Sequence, residues 1–128
     1  MSWEKDVKEI KKREDLVLKQ GGEEAVESHH KKGRKTIRER IDFILDKETF
    51  DEIGKIAGSP IYDDENRLEG YVPANFLLGF GKINTRDVII GGEDFTLKGG
   101  SPNAAGLRKS IYTEELALKY KIPLIRLH

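Results

Sequence analysis

The chain has 128 residues, enough for one domain or part of one, with Lys plus Arg and Asp plus Glu both at 23 and a formal net charge of zero. That balance argues against a binder that relies on broad attraction to phosphate backbones, and the lack of cysteine excludes disulfides, thiolate metal sites and cysteine nucleophiles. No run reaches the roughly 18 apolar residues of a membrane span, and MSWEKDVKEI carries no apolar signal core, so a soluble intracellular protein is expected.

In chain order, residues 3–20 read as a charged helix with Trp3, Val7, Ile10 and Val17 near one face and Gly21-Gly22 as its stop. So thin a stripe implies that this helix lies against a larger body or a neighbouring subunit. Glu23 to Lys32 reads as a second helix, acidic at its start and basic at its end, as the macrodipole favours, with Gly33 as its stop. Thr36 and Glu39 form a capping box for a third helix, on which Ile37, Ile41, Ile44 and Leu45 recur at the spacing of one buried face. From Asp46 to Asn75 the pattern weakens. A short strand is expected within Phe50–Ile56, an acidic turn-like stretch from Ser59-Pro60 to Asn66, and no central strand at Pro73.

Phe76–Ile83 and Val88–Phe95, rich in β-branched and aromatic residues, are predicted strands around Asn84-Thr85-Arg86-Asp87. Gly91-Gly92 inside the second marks a bulge or a close approach. Gly99-Gly100 frees the backbone, and Ser101-Pro102 reads as N-cap plus first residue of a helix running from Asn103 to Lys121. On that helix Ala104, Leu107, Ile111 and Leu118 share a face that Tyr112 and Leu116 widen. Gly106 costs about 1 kcal/mol against Ala unless close packing needs it. Pro123 stops the helix, and Leu124 to Leu127 is a strand expected to pair in parallel through a right-handed crossover. A parallel strand normally sits inside a covered sheet, so the chain reads as the front of a longer fold.

Few residues suggest chemistry on pattern alone. Lys98-Gly99-Gly100-Ser101 can present backbone N–H groups to an anion or thioester oxygen, or can be a tight turn with an ordinary cap; it is not a P-loop. The basic run Lys31 to Lys35, with Arg38 one turn on, can receive the phosphates of a nucleotide-like ligand or be a solvated junction between helices. His29 and His30 point about 100° apart on a helix and do not grip one metal easily. Glu93 and Asp94, adjacent on a strand, face opposite sides. Asp63-Asp64-Glu65-Asn66 lacks the spacing of a calcium loop.

Two separated blocks carry a resemblance. Gly33-Arg34-Lys35-Thr36-Ile37-Arg38-Glu39-Arg40-Ile41, with His30 before it and Leu45-Asp46 and Phe50 after it, resembles the GKLTARERI…LLD…SF block near the start of carboxyltransferase subunits of biotin-dependent acyl-CoA carboxylases. GFGKINTRDVII, Asp94-Phe95-Thr96, Gly99-Gly100-Ser101 and the stretch from Ala117 through Pro123 to Leu127 resemble that family's G-x-G-x-I-N-G-R-x-V…DFT…GGS…A…P-x-I-x-L block. The resemblance covers about residues 28–128, interrupted over 57–75. It implies an α/β, crotonase-like fold of β-β-α units preceded by N-terminal helices, here an incomplete domain. Residues 1–48 would be a charged helical segment, and 49–128 the first part of the acyl-CoA-binding domain.

The implied activity is transfer of a carboxyl group from carboxybiotin, held on a partner carrier protein, to an acyl-CoA, with no metal in this subunit. Alternatives are the decarboxylase branch of the family or a non-catalytic fragment acting as a binding module; a nucleic-acid binder ranks below both. Implied partners are the biotin carboxylase/biotin carrier subunit, acyl-CoA and further copies in a homo- or hetero-oligomer, with neither nucleic acid nor membrane. The implied location is cytoplasmic, or the mitochondrial matrix in a eukaryote, although no transit peptide is seen. The family's oxyanion-hole segments fall beyond His128, so the 128-residue chain alone is expected to be inactive. No residue here is expected to be catalytic or to bind metal. Arg34, Lys35, Arg38, Phe95, Gly99 and Gly100 are the candidates for the CoA side. Two departures from the family stand out: Asn84-Thr85 replaces Asn-Gly, which predicts a different turn, and Pro73-Ala74-Asn75-Phe76 replaces the usual Gly-Asp-Gly approach.

Overall fold

A computed structural model describes residues 2–101 and 103–128. Three helices lead, α1 (Glu4–Val17), α2 (Glu23–Lys31) and α3 (Ile37–Ile44), followed by β1 (Asp51–Glu52), β2 (Gly58–Tyr62), β3 (Leu68–Pro73), β4 (Phe76–Ile83) and β5 (Arg86–Glu93). A short 3₁₀ turn, Lys98–Gly100, precedes α4 (Ala104–Tyr120) and β6 (Leu124–Leu127). The main sheet runs β1-β4-β5-β6, antiparallel except for the parallel β5–β6 pair, and β2 and β3 form a separate antiparallel hairpin.

Strand alternation sends β4 and β5 side chains to two cores, one on each face of the sheet. On one face α3 inserts Ile37 and Ile41, with Leu45 beyond its end, against Leu77, Val88, Ile90 and Leu127. On the other, Leu116 of α4 joins Phe76, Leu78 and Ile89. The capping box of α3 is present: Glu39 N–H donates to Thr36 Oγ1 at 3.3 Å, and Thr36 N–H to Glu39 Oε2 at 3.2 Å. Gly91 and Gly92 lie in an unbroken β4–β5 register, so they mark close approach and not a bulge. A Cβ would lie 2.8 Å from the Phe76 ring at Gly91, and 2.6 Å from Ile37 Cδ1 at Gly92.

Several local expectations change. The acidic stretch is the turn of a hairpin, because Asp63 Oδ1 accepts from the N–H groups of both Glu65 and Arg67 at 2.9 Å and so organises the reversal between β2 and β3. The β4–β5 connection keeps the two-residue geometry with positive φ at both Asn84 (49°) and Thr85 (69°). Asp46 makes this tolerable for Thr: its Oδ1 and Oδ2 accept from Asn84 N–H at 3.0 Å and Thr85 N–H at 2.8 Å. The N-cap of α4 is Asn103, whose side chain accepts from Gly106 N–H at 2.7 Å, and not Ser101; Pro102 lies outside the described residues. The apolar stripe of α4 faces outward, with Leu107, Ile111 and Leu118 at 52%, 51% and 81% exposure. Gly106, Lys109, Thr113 and Leu116 are buried instead. Gly106 sets this roll, since a Cβ there would lie 2.2 Å from Asn75 Oδ1.

Candidate functional site

The α2–α3 junction, the β5 exit and the end of β6 enclose an open cleft of about 530 Å³ lined by His29, Gly33, Arg34, Lys35, Arg40, Phe95 and His128. Helix α2 ends at Gly33, whose φ of 70° lets the chain reverse; Gly33 N–H donates to His30 O and Arg34 N–H to His29 O. The reversal leaves Arg34 and Lys35 exposed, just before the Thr36 cap of α3. Arg40, one turn into α3, donates to the backbone oxygen of His128 at 3.0 Å and ties this rim to β6. Lys35 Nζ also sits 5.6 Å from the Phe43 ring centroid. Burial works against the charge of Glu39, but hydrogen bonds from His30 and from the Thr36 N–H win and hold its carboxyl below the usual range. Much of its charge is therefore spent on the α2–α3 junction, and Arg34, Lys35 and Arg40 leave the cleft cationic around one half-exposed aromatic ring.

Of the six candidates from sequence, Arg34, Lys35 and Phe95 meet in this cleft. Arg38 lies elsewhere, pointing inward and bidentate to Glu52 at 2.8 and 3.0 Å. Gly99 and Gly100 form the turn beside Phe95, with φ of 58° and 83°, and a Cβ at Gly100 would lie 2.6 Å from the Phe95 ring. Gly100 thus lets the ring lie flat against the turn. Sequence reading passed over His29, Arg40 and His128 as members of this group. Arg40 stands two residues after Arg38 on the same helix, and a helical projection about the buried pair Ile37 and Ile41 would have separated the two arginines.

On either side of Phe95, Asp94 and Thr96 make structural contacts. Asp94, 1% exposed, accepts through Oδ1 from Thr96 N–H at 2.9 Å and from the Thr96 hydroxyl, while Thr96 Oγ1 accepts from Gly21 N–H at 2.9 Å. The end of α1 is thereby fastened to the exit of β5. Glu93 turns the other way and pairs with Arg126 at 2.7 Å. Among the described residues no group of three or more His, Cys, Asp or Glu is arranged to hold a metal ion. No helix there is long and apolar enough to cross a membrane.

Residues 28–128 match the carboxyl transferase domain model. The chain belongs to the carboxyl transferase family. Among curated relatives of this family member, the propionyl-CoA carboxylase carboxyltransferase subunit of Haloferax mediterranei is 31% identical over 131 residues, an alignment that takes in 100% of the chain and 25% of the relative. The methylmalonyl-CoA carboxyltransferase 12S subunit of Propionibacterium freudenreichii is 31% identical over 122 residues, 93% of the chain and 23% of the relative. Transcarboxylase 12S, solved as a hexamer with methylmalonyl-coenzyme A and methylmalonic acid bound, superposes with a TM-score of 0.81 at 28% identity, covering 100% of the chain and 25% of that structure. The β subunit of P. aeruginosa geranyl-CoA carboxylase gives 0.76 at 25% identity over 95% of the chain and 22% of that structure. This carboxyl transferase domain is therefore crotonase-like in fold. It spans about a quarter of the length of the relatives it matches.

Proposed function

We propose that this chain forms the CoA-side wall of an acyl-CoA carboxyltransferase, in which a carboxyl group passes between carboxybiotin and the acyl α-carbon. The observation that carries the reading is the cationic cleft around Phe95 in a member of this family. The 3′-phosphate and diphosphate of CoA carry several negative charges on one flexible ligand. Arg34 and Arg40 can meet such oxygens in bidentate fashion, with Lys35 as a point charge. Phe95 offers an apolar face to the adenine, and the Gly99-Gly100 turn allows the ligand to approach the backbone closely. Arg38 serves from behind, holding α3 to β1 through Glu52.

In this reading residues 49–128 begin the acyl-CoA-binding domain and residues 1–48 lead into it, with α3 already packed on the sheet. The partners are a biotin carboxylase/biotin carrier subunit and other copies in an oligomer, and the setting is the cytoplasm or the mitochondrial matrix. Calorimetric titration with CoA tests the site. Arg34→Ala is expected to weaken binding by roughly threefold to tenfold, the worth of one charge-assisted contact at an exposed position. An unchanged affinity removes Arg34 from the site.

A further inference from the structure

The apolar stripe of α1 is only half used by the fold. Val17, at its C-terminal end, is buried. Lys12 and Arg13 tie the inner side of the helix to the β2–β3 hairpin, donating to the Leu68 carbonyl and, at 2.9 Å, to the Tyr62 hydroxyl. Towards the N-terminus the same stripe stands clear of the body, with Trp3, Val7 and Ile10 at 71%, 60% and 49% exposure. Trp3 has helical dihedral angles, and Val7 N–H donates to its carbonyl at 2.9 Å, so the three side chains line up along one rigid helix. A row of large apolar side chains on a helix otherwise rich in charge marks an interaction surface.

We propose that this face of α1 pairs antiparallel with the same face of a second copy of the chain. The pairing does not depend on what the cleft around Phe95 binds.

Spacing and charge select this occupant. Trp3, Val7, Ile10, Glu14 and Val17 follow one another at intervals of four, three, four and three residues, the seam of a heptad repeat. With a two-fold axis between Lys8 and Glu9, Val7 meets the partner's Ile10 and Ile10 the partner's Val7 at the centre of the seam. Such an axis keeps each flank of the seam against the same flank of the other copy. On the outer flank Glu4 then faces the partner's Lys11, and on the hairpin side Asp6 faces the partner's Arg13. Arg13 reaches Glu9 and Tyr62 through one terminal nitrogen and has others to offer. Every flanking pair is of opposite sign, because α1 is acidic in its first turn, at Glu4 and Asp6, and basic further on, at Lys8, Lys11, Lys12 and Arg13. A parallel pair would instead set Glu14 against the partner's Glu14 within the seam and align the two helix dipoles, both unfavourable. Trp3 adds the large flat side chain that dominates small interfaces. The seam runs about three turns and falls well short of the roughly 1,200 Å² of a stable interface, so the pair is weak and forms with concentration.

Trp3 is the only tryptophan of the chain, so its emission reports on the seam directly. Sedimentation equilibrium of the full chain should show monomer and dimer with a dissociation constant on the order of 0.1 mM, and Trp3 emission should move to the blue along the same concentration curve. Val7→Asp puts a charge at the centre of the seam and should weaken the dimer about tenfold or more, leaving the emission that of an exposed indole. Glu4→Lys sets like charges across the outer flank and should weaken it about threefold, and adding Lys11→Glu should restore it. Carbodiimide should join Glu4 to Lys11 in the dimer band and not in the monomer band. A monomer with unshifted emission at about 1 mM, a dimer that survives Val7→Asp, or cross-links confined to other residues overturns the proposal. If Val7→Asp does not fold, the charge exchange decides: association that Glu4→Lys leaves intact, or that the double variant does not recover, overturns it too.

Discussion

Lys109 is 8% exposed, and its ammonium donates to the Gly54 carbonyl at 3.2 Å. Burial drives it down to about 8, against the attraction of Glu52 and with the help of Arg38. The folded chain therefore sheds this proton near pH 8, while the unfolded chain keeps it until about pH 10.5. Between those values the unfolded state binds more protons, so stability climbs with pH. The rise attributable to Lys109 is on the order of 3 kcal/mol. Urea midpoints measured at pH 7.5 and 10 should show it, and Lys109→Met should remove that part of the slope; an identical slope in the variant would exclude Lys109 as its source. Asp46 makes a second residue-scale case. Asp46→Ala is expected to cost about 1–2 kcal/mol in thermal unfolding, because two turn N–H groups lose a charged acceptor and Thr85 keeps its positive φ.

At the scale of elements, α4 shows how packing overrides a local preference. Alanine favours a helix interior over glycine by about 1 kcal/mol, yet Gly106→Ala places a Cβ 2.2 Å from Asn75 Oδ1. Asn75 bridges Ser101 and Asn103, so the clash would undo the approach to the helix, and a net loss of about 1–3 kcal/mol is expected. Calorimetric melting of the variant checks it, and a raised melting temperature would contradict the packing role. The same helix explains what its sequence concealed. Leu107, Ile111 and Leu118 form a good apolar stripe, but the close seat at Gly106 rolls a different face onto the sheet. By contrast, α3 and β4 were readable because capping box, periodicity and β-branched content agree with the final packing. The β2–β3 hairpin escaped notice because Pro60 and the acidic turn hide two short strands that pair chiefly with each other.

Over the whole molecule, one sheet carries two cores, and the side chains of β4 and β5 serve both. Ile89, fully buried beside Phe76 and Leu78, should therefore report on the entire chain. Ile89→Ala is expected to cost about 2–5 kcal/mol, a large share of the 5–15 kcal/mol typical of a domain. In denaturant the midpoint should fall without a change in slope. A split transition would instead mean that the two faces unfold separately. The candidate site also belongs to this scale, since its cations come from the α2–α3 junction and from α3 while its aromatic ring comes from the β5 exit.

Sequence by itself determined the family blocks, the capped helix α3 and the two central strands, because each depends on residues that are neighbours in the chain; the parallel return at β6 followed from the strand–helix–strand order. It also picked out Arg34, Lys35 and Phe95. Only the tertiary structure decided that these three share a cleft, that Arg40 and not Arg38 joins them, and that Glu93 of β5 pairs with Arg126 of β6. Those outcomes depend on how helices roll and where strands end. The contacts responsible, Gly106 on Asn75 and Arg38 on Glu52, join residues far apart in the chain.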